Sequence, residues 1–299
     1  MSATIKGLIY ACRCLAIALT LALSPPLATA AARELPTPSE HDYFLYVFSN
    51  AVQGKDEAYN KWYQDIHIPD VLAVAGLISA QRFVRSDIAI PKGSAGLLAS
   101  KTKYLAVYKI RTSSLAGVLN EINRRALSGQ TRRSDTVDPV GVDLYVARVD
   151  EAWQPALHVK DAVGSARSPR KIYLQLEFAA PEPRSRERFN DWNRQFHVSE
   201  VLSLPGYVGA QPMVHAEVAP SLPAGSPLPG PEYVTSYSIA TADIAKVLEA
   251  IASRKPIARE PSGKAFHTRS YLYEAAAPAV YAEELASNAG TAPVKAAGE

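Results

Sequence analysis

Beyond its first thirty residues this chain has no cysteine: Cys12 and Cys14 are its only two, and both precede an apolar run near the N-terminus. A mature protein starting after that run has no disulfide, no thiolate metal ligand and no cysteine nucleophile. Long hydrophobic runs are missing as well, since no stretch reaches the roughly 18 consecutive apolar residues that suggest a membrane-spanning helix. Nor is there a large excess of one charge: 32 basic residues against 29 acidic leave a formal +3. That balance argues against a nucleic-acid or membrane-surface partner, although "NRRALSGQTRR" is locally basic. The chain lacks a G-x-G-x-x-G, a phosphate loop and a G-x-S-x-G elbow. It also has no H-x-H or H-x-x-x-H pair to seed a metal site. The reading is therefore of a protein with no metal and no cofactor.

The two ends have their own character. Lys6 and Arg13 precede "LAIALTLAL", and the following "SPPLATA" places Ala28 and Ala30 at A-x-A spacing. Residues 1–30 read as a secretory signal peptide, which predicts a periplasmic or secreted protein without stable membrane insertion after cleavage. A thiol-free mature chain suits such an oxidising compartment. From Ala275 onward, "AAAPAVYAEELASNAGTAPVKAAGE" has the composition of a disordered tail, 275–299.

Between these ends the chain repeats itself. "YNKWYQDIHIPDVLAVAGLISAQRF", Tyr59 to Phe83, falls after a shift of 130 on "FNDWNRQFHVSEVLSLPGYVGAQPM", Phe189 to Met213. Asn60, Trp62, His67, Val71, Leu72, Gly76, Ala80 and Gln81 meet identical residues at 190, 192, 197, 201, 202, 206, 210 and 211. The flanks repeat too. "YFLYVF" matches "YLQLEF", and "YLAVYKI" matches "YVTSYSI"; all four are short, aromatic and aliphatic, as strands are. Leu115, Val118, Leu119 and Ile122 in one copy, and Ile244, Val247, Leu248 and Ile251 in the other, recur at helical spacing. Each copy closes on another strand, "GVDLYVARV" or "TRSYLYEA".

Each copy thus reads β-α-β-β-α-β, the order of a ferredoxin-like unit, over 40–150 and 171–274. A linker spans 151–170, with Trp153 expected to pack on something. The second and third strands of each copy are joined by long loops rich in Gly, Pro and Ser, of the sort that serve as lids or binding loops. A four-stranded sheet with helices on one face needs cover on the other, and the tandem copy supplies it. The expected class is α+β, with the two sheets packed face to face about a pseudo-two-fold axis and the pair free to assemble further.

Which side chains fall in that space follows from strand alternation. Phe44, Tyr46 and Phe48 match the apolar Leu174, Leu176 and Phe178, so this face is expected to meet the helices. The opposite face carries Tyr43, Leu45 and Val47 in one copy but Tyr173, Gln175 and Glu177 in the other. On that expectation Glu177 is a buried acid or base between the sheets, or the partner of an arginine.

The repeated helix carries a histidine and an acid three residues apart in both copies, His67 with Asp70 and His197 with Glu200. Pro69 is expected to kink or restart the helix beside His67. A carboxylate near an apolar stripe is costly unless paired, and a His–carboxylate pair can transfer protons near neutral pH. The simpler alternative has each acid capping a helical turn and each histidine bonding a backbone carbonyl. Trp62 and Trp192 read as core anchors, and Gly76 and Gly206 as helix terminators.

The run "NKWYQDIHIPDVLAVAGLISAQRF" resembles the first-helix signature of the dimeric α/β-barrel proteins, closest to the EthD-like group, in which W-Y-x-x-x-H-x-P-x-x-L-x-x-x-G is typical. The second copy departs from it at Asn193 and Ser199. The likeness covers about 42–149 and 171–274, and implies two ferredoxin-like repeats closed into one dimeric α/β barrel within a single chain. That superfamily includes lyases, isomerases, cyclases, oxygenases, haem enzymes and members without known activity, so fold alone names no reaction. The leading expectation is an exported enzyme doing cofactor-independent proton transfer, of lyase, isomerase or cyclase type, on a small aromatic or apolar substrate. His67 would be the acid–base residue and Asp70 its orienting partner, with His197, Glu200 and Glu177 as a second set. Tyr43, Trp62, Tyr104, Tyr108, Tyr173 and Gln175 would line the substrate site. Two alternatives belong to other classes: a ligand-binding or stress-associated module without turnover, and a haem protein with a histidine axial ligand.

Overall fold

A computed structural model of the chain describes residues 39–94, 96–152, 170–216, 226–227, 232–255 and 269–290. The expected signal segment, most of the linker with Trp153, and residues 291–299 lie outside the described residues.

In the first copy, strand β1 (His41–Ser49) leads into a helix built from α1 (Asp56–Trp62), a π-helical turn (Tyr63–His67) and α2 (Ile68–Leu72). There follow β2 (Leu77–Arg85), a two-residue β3 (Leu97–Leu98), β4 (Tyr104–Thr112), helix α3 (Leu115–Leu127) and β5 (Asp143–Val149). The second copy runs β6 (Lys171–Ala179), α4 (Arg186–Trp192), a π-helical turn (Asn193–His197), α5 (Val198–Leu202) and β7 (Tyr207–His215). A short β8 (Ser226–Pro227), β9 (Tyr233–Thr241), α6 (Ile244–Ser253) and β10 (Arg269–Ala275) complete it. Local chemistry fixes both single helices in the same way. Ser114 Oγ accepts the Gly117 amide and Asp243 Oδ1 the Lys246 amide, each at 3.3 Å, so α3 and α6 start on equivalent side-chain caps.

The strands of the first copy lie in the order β5-β1-β4-β2, and those of the second in the order β10-β6-β9-β7. Two short antiparallel seams join them: β5 to β7 over Ala147–Val149, and β2 to β10 over Phe83–Arg85. With both seams made, eight long strands close into an antiparallel barrel, and stretches of β2, β5 and β10 beyond the seams pair with two-residue strands instead. The core divides accordingly. One apolar cluster fills the barrel around Tyr46, Phe48, Leu105, Leu176, Phe178, Met213 and Tyr273. Two others lie outside it, between each half's strands and helices.

Three expectations from sequence are overturned here. Phe44, Tyr46, Phe48, Leu174, Leu176 and Phe178 face the lumen, whereas Tyr43, Leu45 and Val47 pack with the helix residues Tyr59, Tyr63 and Ile68. The face carrying Gln175 and Glu177 is thus the helix-covered one. Second, the helix does not break at Pro69; it continues through the π turn into α2. Third, part of the Ala-rich tail is ordered: β11 (Val280–Tyr281) pairs with β2, and α7 (Ala282–Gly290) follows, with Ala282 and Leu285 packed on the first core. Alanine suits a helix as well as a tail, and the exposed half of β2 supplies the pairing that holds it.

Candidate functional site

The repeated helix owes its tryptophan–histidine contact to the π turn. In a regular α-helix two residues five apart lie about 140° apart around the axis; the wider i→i+5 turn returns them to one face. Trp62 and His67 therefore stack, ring centroids 4.7 Å apart and planes at 32°, and Trp192 and His197 do the same at 4.6 Å and 25°. Pro69 is not the cause, because the second copy has Ser199 there and makes the same turn.

In the first half, His67 sits in an aromatic box. Tyr63 meets it edge-on, centroids 4.8 Å apart. On the other side of the box stands Arg82, from β2, its guanidinium carbon 4.8 Å from the centre of the same Tyr63 ring and within 6 Å of the Tyr59 and Tyr104 rings. Arg82 is only 4% exposed, and among the described residues no carboxylate is within ion-pair distance of it. Its hydrogen bonds go to neutral acceptors: Nη1 donates to the Asn60 carbonyl at 3.1 Å and Nη2 to Asn60 Oδ1 at 2.6 Å. Asn60 Nδ2 in turn donates to Tyr104 at 3.3 Å, and the Tyr104 hydroxyl to Asp56 at 2.5 Å. Asp56, held below the usual carboxylate range chiefly by its bond with Lys103, is the acid nearest along this chain of bonds and is already paired with that lysine at 2.7 Å.

This surrounding sets the charge of His67. Burial lowers its pKa to about 4; the positive charge of Arg82 acts in the same direction, and the opposing pull of Asp70 is too weak to offset them. The imidazole is neutral at pH 7. Its Nδ1 is sealed from solvent without a hydrogen-bond partner, as is the neighbouring Trp62 Nε1. Asp70 does not orient it. That carboxylate is taken by Arg132, accepting from its backbone amide and Nε at 2.9 Å and from Nη2 at 2.7 Å, and these bonds hold Asp70 below its ordinary pKa.

The second half reverses the polarity. His197 Nε2 and Glu177 Oε1 are 2.7 Å apart, both side chains largely buried. Burial alone would raise the Glu177 pKa, but His197, through charge and hydrogen bond, and more remotely Arg254 outweigh it and leave the acid below its ordinary value. Gln175 accepts a short hydrogen bond from the Tyr207 hydroxyl nearby. Glu200, expected to pair with His197, is buried with Oε1 lacking a hydrogen-bond partner. The acid that meets His197 comes from the strand and not from the next helical turn. At the matching first-copy position stands Val47, and Pro212 stands where the first copy has Arg82.

Of the expected site residues, the first half therefore brings together His67, Trp62, Tyr104 and Tyr108, the last donating to the Tyr63 hydroxyl at 3.3 Å. Tyr43 lies apart, against His41 at 6.4 Å. In the second half Glu177, His197 and Gln175 share one interface, while Tyr173 is buried in its core, its hydroxyl kept protonated by burial and by Glu274. Arg82 was not anticipated. Its signal lies in "AQRFV", where Ala80, Arg82 and Val84 alternate onto the helix-covered face. No cluster of three metal-ligating side chains occurs among the described residues.

No known protein family and no curated protein sequence matches this chain. Solved structures with a similar course include an anthrone oxidase-like protein, 14% identical over 81% of this chain and 93% of that one, with a TM-score of 0.48. A chlorite dismutase variant from Candidatus Nitrospira defluvii is 11% identical over 83% and 94%, with a TM-score of 0.42. DyPB from Rhodococcus jostii RHA1 is 13% identical over 85% and 96%, with a TM-score of 0.39.

Proposed function

We propose that this is an exported enzyme, built from two ferredoxin-like repeats related to the EthD-like group, which performs cofactor-independent proton transfer on a small aromatic or enolisable substrate. The observation that carries the reading is the shared Tyr63 ring. A neutral imidazole and a buried guanidinium with no ion-paired carboxylate among the described residues both lie against it, each 4.8 Å from its centre. A neutral His67 takes a proton from an acidic C–H or O–H of the substrate. The electron pair left by that proton settles on the substrate oxygen as an enolate or phenolate, and the fixed positive charge of Arg82 favours the anion. The imidazolium then returns the proton to another atom of the substrate, or to a leaving group, and the neutral site is restored. An Arg82 already neutralised by a carboxylate would gain little from that anion; an uncompensated one gains much more.

The test is proton–deuterium exchange in D2O, followed by NMR, on a panel of small aryl ketones whose α C–H protons exchange slowly without a catalyst, using the chain expressed from Ala31. Catalysed exchange is expected, falling by about two orders of magnitude or more in folded His67→Ala and Arg82→Met variants. No exchange with any panel member, or full activity in His67→Ala, overturns the proposal. A Soret band in the purified protein overturns it in favour of the haem reading.

A further inference from the structure

The duplicated motif ends on a pair that this chemistry leaves unused. Gln81 and Gln211 occupy equivalent places in the two copies, and by strand alternation both turn away from the helices. They converge inside the barrel, where they line a cavity of about 280 Å³ together with Tyr46, Phe83, Leu174 and Ser236. The site is bipartite. Each half contributes an apolar wall and one carboxamide, so neither half could form it alone.

Its chemistry selects against ions. The one charged side chain on the lining, Lys109, is already paired with Asp42 at 3.0 Å. The Tyr46 phenol is 1% exposed; burial raises its pKa, so the hydroxyl stays neutral, and its partners are the Ser236 side chain and Met213 Sδ, which accepts at 3.5 Å. What remains is five aromatic rings, an aliphatic wall, two amides and hydroxyls, which together suit a flat neutral molecule with a hydrogen-bonding substituent. The volume lies just under the roughly 300 Å³ at which ordinary ligand pockets begin, the size for one ring.

The cavity also has a cover. The tail runs along β2 beyond the seam: the Ala276 amide donates to the Arg82 carbonyl at 2.9 Å, and Tyr281 and Val280 pair with Ser79 and Ala80. Ala279 and Tyr281 complete the lining, and Gln81 Nε2 donates to the Ala277 carbonyl at 3.3 Å. One of the two lumen glutamines thus holds the strand that closes the cavity.

We infer that the barrel lumen is a binding site, separate from the His67 centre, for a single-ring uncharged molecule bearing an amide or hydroxyl, and that residues 276–281 form its wall on the tail side. Benzamide and benzyl alcohol, both neutral at pH 7 and neither carrying an enolisable C–H or a phenolic O–H for the His67 centre, are the probes, and ligand-observed NMR and calorimetry on the full mature chain are the readouts. At least one probe is expected to bind, and Ser236→Phe, which fills the cavity, to weaken it by about tenfold or more. Binding should be unchanged in His67→Ala, which separates this site from the acid–base centre. If Ser236→Phe does not fold, Gln211→Leu is expected to weaken binding in its place by removing a hydrogen-bonding group at similar volume. The inference is overturned if neither probe binds the wild type, if the folded lumen variants bind as tightly as wild type, or if His67→Ala abolishes binding.

Discussion

Glu177 and His197 meet at 2.7 Å between the second half's strands and helix, and the first half keeps the histidine but has Val47 in the place of the acid. One scaffold, with the same π turn and the same stacked tryptophan, therefore carries an acid–imidazole dyad in one copy and a lone neutral imidazole in the other. The natural contrast between the copies says what each group does, and it can be reproduced by mutation.

Replacing Glu177 by Val installs the first-copy residue in the second copy. It should cost about 3 kcal/mol, the low end for breaking a buried pair. His197→Leu alone leaves Glu177 buried without its partner and should cost at least as much. The double variant should be less destabilised than the sum, with a coupling energy above about 1 kcal/mol in urea titrations. Additive costs would show that the contact adds nothing to stability.

His67 itself has a titration that can be checked. His67 is expected to show an NMR midpoint near 4, against an ordinary value of 6.5. The sign follows from proton uptake. Between those two values the unfolded chain binds a proton that the folded chain refuses, so stability falls as pH drops from 6.5 towards 4, by about 1–3 kcal/mol. Glu177 adds its own acid-side loss: its contribution is complete above its ordinary value of 4.5 and is lost as pH falls through its lower folded pKa. His67→Leu should flatten the first decline and leave the second. A His67 midpoint near 6.5 would remove the basis for a neutral base shaped by burial.

The sequence made the repeat visible because identities at one shift need no structure to be seen. The order of periodic segments and the need to cover each sheet implied two sheets face to face; their closure into a barrel was implied by the family resemblance alone. What could not be read was direction. In β1 both faces are apolar, so alternation separates Leu45 from Tyr46 without saying which meets the helices. The polar Gln175 and Glu177 seemed to belong to the space between the sheets, yet their partners Tyr207 and His197 lie on the helix side. The π turn has the same composition as the helix around it. The Asp70–Arg132 pair joins residues 62 apart, beyond the reach of any local pattern.

The tail gives a direct test of composition against packing. Leu285 in α7 rests on the first core, and β11 pairs with β2. Leu285→Ala should cost about 1–2 kcal/mol, below the full-burial range because the side chain is only partly covered. Removing residues 276–299 should lower the melting temperature by several degrees, as loss of a docked segment does. A disordered tail would leave both quantities unchanged.

Gly206 lies at φ +89°, and a Cβ there would fall 2.9 Å from the Val247 side chain, leaving a substituent both strained and crowded. Gly206→Ala is expected to destabilise by about 2 kcal/mol or more. Gly76 stands at φ +92° against Val118 at 3.0 Å, and its alanine variant should behave alike. An unchanged urea midpoint in either would mean that the turn between helix and strand relaxes freely.

Arg82 separates stability from function most sharply. A guanidinium buried against three tyrosine rings, with neutral acceptors and no paired carboxylate among the described residues, retains much of its desolvation cost. Arg82→Met keeps the length and the apolar packing while removing the charge. It leaves Asn60 Oδ1 without its donor, while the Asn60 carbonyl still accepts the Tyr63 amide, and this offsets part of the gain. The expected net change in stability is within about 1 kcal/mol of zero, while proton exchange falls by about two orders of magnitude or more. Arg82→Lys keeps the charge but lacks the planar fork that spans Asn60, so it should retain part of the activity. A structural role for Arg82 predicts the opposite: a large fall in stability for Arg82→Met, with activity per folded molecule preserved. Only the combination of an intact fold and a lost rate supports a charge kept unpaired for the sake of an anion formed in the reaction.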